Sequence, residues 1–112
     1  MLRSFIYMLA GLTFSARPAA ALPAHPPLHK VVSLKITVLS TMLADRGMGE
    51  WGFSVLVEAD GHRILFDTGM HPQTVLDNAR DLGIDLSNVT DVVLSHHHGD
   101  HTGGLVDLMM VV

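Results

Sequence analysis

The stretch Asp91-Val92-Val93-Leu94-Ser95-His96-His97-His98-Gly99-Asp100-His101 decides how this chain reads. Its first five residues form an apolar run of strand length, of the fully buried kind. Its last six place potential imidazole ligands and a carboxylate in H-x-H-x-D-H register. Imidazole and carboxylate together suit zinc, and other first-row metals less selectively. Two histidines at i and i+2 on a bent loop can close on one ion, which selects His96 and His98. Asp100 and His101 are adjacent but project differently where the loop turns into a helix. They suit a second ion at the ~3.5–4 Å separation of two-metal sites. Gly99 lets the backbone turn sharply between the pairs. His97 lies between the proposed ligands and is expected to point away from them. A run of histidines alone could be a surface patch or a metal-buffering tract. The Asp-His that follows, the strand before it and Thr102-Gly103-Gly104 behind it argue for a built site.

Upstream, the hydrophobic period supplies a frame for this loop. Val32, Leu34, Ile36 and Val38 alternate with Ser33, Lys35 and Thr37, the pattern of a half-buried strand. Ser40 to Gly49 breaks the pattern and reads as a loop. Phe53 to Glu58 is a second strand, Asp60-Gly61 a tight turn, and His62 to Phe66 the hairpin partner. The period then changes: Val75, Leu76, Ala79 and Leu82 recur at three- and four-residue steps. Pro72 suits a first helical position and Gly83 a C-terminal stop, which predicts a helix over Pro72 to Leu82. Strand, helix and strand in succession favour a right-handed βαβ unit with parallel strands. Both carboxyl ends then share one edge, where ligands of open α/β sheets gather. Asp67-Thr68-Gly69 ends the first of these strands and His96 to His101 ends the second, so the two clusters are expected to meet. Thr102 to Leu108 reads as a loop entering a helix, whose N-terminal N–H groups could favour an anion. His71 lies near the same edge and is a weaker candidate for a ligand.

These residues carry a family resemblance. Leu94-Ser95-His96-His97-His98-Gly99-Asp100-His101-Thr102-Gly103-Gly104-Leu105 resembles the signature of the metallo-β-lactamase-fold hydrolases, and Ile64-Leu65-Phe66-Asp67-Thr68-Gly69 resembles their Asp-Thr-Gly motif. Glu50-Trp51-Gly52-Phe53-Ser54 and Leu82 to Ser87 are similar to the branch named for 7,8-dihydropterin-6-methyl-4-(β-D-ribofuranosyl)-aminobenzene-5′-phosphate synthase. The resemblance runs from about Val31 to the last residue. It implies an α/β fold, the N-terminal half of an αββα sandwich: a mixed sheet with helices on one face. It implies His96 and His98 on a first ion, Asp100 and His101 on a second, and Asp67 behind the ligands. It implies zinc, with iron or manganese also used on this scaffold, and a metal-activated water attacking a small-molecule substrate. Asp100 would also take a catalytic part by positioning that water. The family's second half brings one more histidine per ion and a bridging carboxylate. None follows His101 here, and a catalytic zinc generally has three protein ligands. A sheet with helices on one face also lacks a second layer. The chain is therefore expected to be a fragment or a truncated product, completed by a missing C-terminal half or by another chain. Two other readings stay open: a non-catalytic metal-binding remnant, and a metal buffer using His25, His29 and the triple histidine. The buffer gives Asp67-Thr68-Gly69 no task.

Composition sets the remaining bounds. The 112 residues allow one small domain. Arg3, the uncharged apolar run Ser4 to Ala16, and Ala19-Ala20-Ala21 have the layout of a secretory signal peptide over residues 1–21, cleaved after Ala21. The run falls short of the ~20 residues of a membrane span, so no stable membrane anchor is expected. A Pro-rich tether (22–30) and a partial domain (31–112) complete the expected organisation, in a periplasmic or secreted protein. The net charge is −4, and without Arg3 and Arg17 five basic residues face 11 acidic ones. No basic patch remains to bind nucleic acid. With no cysteine, disulfides and thiolate metal sites are excluded.

Overall fold

The computed structural model describes residues 29–112. The expected signal peptide and the tether as far as residue 28 lie outside the described residues. Seven elements follow in order: β1 (Leu34–Ser40), β2 (Ser54–Ala59), β3 (His62–Phe66), α1 (Thr74–Asp81), β4 (Asp91–Val93), α2 (Gly99–Thr102) and α3 (Leu105–Leu108). The strands form one mixed sheet in the order β1-β2-β3-β4. No helix among the described residues is long and apolar enough to cross a membrane.

Local chemistry explains the connections. Asp60 and Gly61 take φ of 49° and 89°, the two positive values that a two-residue type I′ hairpin requires. Ala59 then pairs with His62 and Val57 with Ile64. α1 ends in a Schellman motif, in which the Gly83 N–H donates to Arg80 O at 3.0 Å and the Ile84 N–H to Ala79 O at 2.8 Å. Gly83 has φ of 69°, as that position demands. The helix itself starts at Thr74, two residues later than Pro72. The crossover through α1 sets β3 and β4 parallel, with Leu65 opposite Val92.

The core lies on one side of the sheet. Leu39, Leu56 and Leu65 from the strands meet Val75 and Ala79 of α1, with Leu86, Val89 and Leu108 closing the cluster. Truncating a fully buried leucine such as Leu65 to alanine would cost about 2–5 kcal/mol. The other side of the sheet is open and apolar: Leu34, Ile36 and Val38 are 61%, 58% and 49% exposed. The alternation in β1 is therefore real, but its apolar set faces outward among the described residues. Register places Ile36 opposite Val57 and Val38 opposite Val55 on this same side of the sheet, where Val57 is half-buried and Val55 buried. β4 departs from expectation in the same way. It is a three-residue edge strand, with Val93 and Leu94 exposed rather than buried on both faces.

The segment after β4 also differs. Helix begins at Gly99, so Asp100 and His101 sit in a helical turn, not in a loop before one. α2 and α3 have four residues each. One turn aligns too few peptide dipoles for the expected anion site at a helix N-terminus.

Candidate metal centre

The parallel β3/β4 pair brings the two polar clusters together. The Asp67 N–H donates to Val93 O at 2.8 Å, which continues the ladder by one step. Asp67 then leaves the strand with φ of 58°, a left-handed conformation that Asp tolerates better than most residues. Its carboxylate has no solvent exposure. Oδ1 accepts the Ser95 N–H at 2.7 Å. Oδ2 accepts the Ser95 hydroxyl at 2.8 Å and lies 2.7 Å from His101 Nδ1. Burial pushes this carboxyl up, but the Ser95 N–H, the His101 ring and the Ser95 hydroxyl together hold its pKa below the usual value. It is an anion at neutral pH.

That anion fixes both imidazoles. Paired with Oδ2 as an acceptor, His101 carries its proton on Nδ1 and leaves Nε2 free. Nε2 lies 3.5 Å from Asp100 Oδ2. Ser95 gives its only hydroxyl proton to Asp67, so it accepts from His96 Nδ1 at 2.9 Å. His96 Nε2 is thereby free as well, and it lies 3.1 Å from His98 Nδ1. A tetrahedral ion with bonds of about 2.0–2.1 Å holds two nitrogens roughly 3.3 Å apart. Both pairs fall close to that span. His96, Asp100 and His101 also offer ligand atoms within 4.8 Å of one another, a grouping that omits His98. Two ions ~3.5–4 Å apart bring ligands of both ions within such a distance, so this trio is compatible with two adjoining pairs.

Backbone packing holds α2 in place. The Thr68 N–H and hydroxyl both donate to His101 O, at 2.8 and 3.0 Å. The Phe53 N–H donates to Asp100 O at 3.1 Å and the Gly103 N–H to Gly69 O at 2.9 Å. A side chain on Gly103 would strike Met70 O, and one on Gly104 would strike Thr68 O. The Thr-Gly-Gly signature thus records how closely the α2–α3 junction approaches the loop after β3. The His96 and His101 ring centroids are 4.2 Å apart.

Other histidines stand apart. His97 is exposed and touches the group only through the His98 ring. His71 Nδ1 lies 2.8 Å from Glu50 Oε2, which ties it to a different carboxylate. His62 is an exposed strand residue, as the turn beside it predicts. Two residues that organise this region through hydrogen bonds escaped the sequence pattern. Ser95 was visible only as the last residue of an apolar run. Glu50 sat in a motif without an assigned task, although a lone acid between glycines in an otherwise apolar stretch was a signal.

Comparisons with known proteins bear on the family and the fold. A family model described as the metallo-beta-lactamase superfamily matches residues 51–109. The 7,8-dihydropterin-6-methyl-4-(beta-D-ribofuranosyl)-aminobenzene-5′-phosphate synthase of Methanocaldococcus jannaschii is 37% identical over 89 residues, covering 73% of this chain and 30% of that protein. A ribonuclease Z of Aeropyrum pernix is 31% identical over 80 residues, covering 70% and 25%. Among solved structures, the metallo-beta-lactamase fold protein YhfI from Bacillus subtilis superposes with a TM-score of 0.52 at 23% identity, covering 70% of this chain and 30% of that one. The chain therefore spans about a third or less of the length of these relatives.

Proposed function

Because the chain belongs to the metallo-β-lactamase superfamily, with its metal-dependent hydrolase-type fold, we propose that it carries the first half of a two-metal hydrolytic site. His96 and His98 would hold one ion, and Asp100 and His101 the other. The observation that carries this is the convergence of Nε2 and Nδ1 at 3.1 Å in one pair, and of Nε2 and a carboxylate oxygen at 3.5 Å in the other. Both rings of the second and first pairs that contact Ser95 or Asp67 keep Nε2 as the free nitrogen. Asp67 touches no ion in this scheme. It fixes the tautomer and orientation of His101 directly and of His96 through Ser95, as a carboxylate behind a ligating imidazole does.

Zinc fits the nitrogen and oxygen donor set best. Bound metal would supply a water of lowered pKa and polarise a substrate oxygen. Asp100, beside His101 and half-buried, would orient that water. Among the described residues each ion has two protein ligands, against three in a typical catalytic zinc site. We place the remaining ligands in a C-terminal half or in another chain, which would also cover the open apolar face of the sheet. The alternative, a metal-binding piece without turnover, is favoured by the same ligand count. The relatives' names span different substrates, RNA among them, so the small-molecule substrate we propose rests on the family resemblance. The acidic charge balance argues against nucleic acid. Export rests on the leader-like layout of residues 1–21.

The test is zinc binding by isothermal titration of the 112-residue chain. We expect weak binding that His98→Ala or Asp100→Ala each lowers by about tenfold or more, with no turnover of lactone, phosphodiester or β-lactam. Zinc binding that neither substitution moves would refute the ligand assignment. Turnover by this chain would refute the division of the site.

A further inference from the structure

Glu50 is a buried carboxylate with no part in the proposed metal site. Its side chain is 4% exposed. Oε1 accepts the Ser40 hydroxyl at 2.6 Å and the Met70 N–H at 2.8 Å. Oε2 accepts the His71 N–H at 3.0 Å and lies 2.8 Å from His71 Nδ1. Among the described residues its only ionisable partner is that imidazole, which is 64% exposed. A desolvated carboxylate with no permanent countercharge depends on its hydrogen bonds. The donors around it are therefore held in place by the cost of leaving it unsatisfied.

Those donors lead to the side chains of one proposed ligand pair more directly than to those of the other. Met70 and His71 continue the loop whose Thr68 N–H caps His101 O and whose Gly69 O receives the Gly103 N–H. Gly69 in turn donates to Phe53 O at 3.0 Å, and Phe53 donates to Asp100 O. A Cβ on Gly52 would fall 2.6 Å from Met70 N, 2.7 Å from Glu50 Oε1 and 3.1 Å from Asp100 O. Carboxylate, loop and α2 backbone thus meet at one point. The His96 and His98 rings are reached from the other side, through Ser95 and β4, and only the His98 backbone carbonyl, which caps α2, touches this assembly.

We propose that Glu50 is a positioning residue: it fixes the loop Thr68–His71 and, through that loop, docks α2 so that Asp100 and His101 stand as the second ligand pair. The word ligand rests on the metal-site reading above; the docking does not. Glu50 sets the second pair, and the rings of the first are set by Ser95.

Glu50→Gln in the full chain tests this, because glutamine keeps the size but turns one acceptor into a donor facing the His71 N–H. Amide hydrogen exchange in the metal-free chain is expected to speed up about tenfold or more at Phe53, Thr68 and Gly103. The Asp67 and Ser95 amides should stay within about threefold of wild type. In a cobalt(II) titration, the second binding step should weaken about tenfold or more while the first holds. Ser40→Ala removes one donor to the same carboxylate and should give the same pattern at smaller amplitude, including where Glu50→Gln does not fold. Unchanged exchange at Phe53, Thr68 and Gly103, or equal acceleration at all five amides, overturns the docking role. Wild-type protein that binds no cobalt overturns the ligand reading of Asp100 and His101, and the exchange pattern then decides the docking role alone.

Discussion

The two proposed ligand pairs are built differently. Asp100 and His101 lie on a helical turn whose backbone is bonded to Phe53, Thr68 and Gly69, over a fully buried carboxylate. His96 and His98 lie on an exposed rim: their rings are held by one bond to Ser95 and by each other, while the His98 carbonyl caps α2 by accepting the His101 and Thr102 N–H groups. The first arrangement is part of the fold. In the second, the imidazole rings are attached to the fold at a single hydroxyl. The contrast teaches that metal affinity and stability should separate at this site: changes behind Asp100 and His101 disturb both, whereas changes at His98 disturb affinity alone.

Asp67→Ala should have the largest effect, because Asp67 serves both pairs. It strands the Ser95 N–H, the Ser95 hydroxyl and the His101 N–H, at a cost of about 3–5 kcal/mol. Urea denaturation measures this; a loss under about 1 kcal/mol would mean that the pairs are held by something else. Gly103→Ala comes next. Its methyl group meets Met70 O, so α2 has to shift, and overpacking of this kind costs about 1–3 kcal/mol. The substitution should weaken the Asp100/His101 pair more than the His96/His98 pair, which a two-step cobalt titration resolves.

The pH dependence has a defined sign. Burial raises the Glu50 pKa, but the Ser40 hydroxyl, the Met70 N–H, the His71 ring and the Thr74 hydroxyl outweigh it and lower the pKa from 4.5 to about 2. A depressed carboxylate pKa stabilises the fold above the unfolded value, and that contribution is lost as pH falls from 4.5 through about 2. Asp67 shifts in the same direction. The thermal midpoint should fall across this window, and Glu50→Gln should flatten the fall. The smallest effect on stability belongs to His98→Ala. It should stay within about 0.5 kcal/mol while lowering affinity for the first ion.

Much of this was legible in the sequence because periodicity and turn chemistry are local. Asp60-Gly61 fixed a hairpin, Gly83 stopped a helix, and strand-helix-strand order placed Asp67 beside His96 to His101. Burial was not local. Leu34, Ile36 and Val38 alternate as a core face should, yet which face receives a covering layer depends on residues far away or outside the described region. The start of α2 at Gly99 was missed because Gly99 reads as a turn signal, whereas its neighbours are held helical by Phe53 and Thr68. Ser95 and Glu50 were hidden for a related reason. Their tasks come from partners 28 and 10 to 21 positions away, and no spacing rule announces such partners.

The central claim is that Asp67 leaves Nε2 of both His96 and His101 free for metal. Long-range ¹H–¹⁵N correlation spectra of the histidine rings test it most directly. In the metal-free chain His96 and His101 should be Nδ1–H tautomers, and zinc should shift Nε2 of both together with Nδ1 of His98. Nε2–H tautomers at His96 and His101, or zinc shifts confined to His29, His71 and His97, would contradict it.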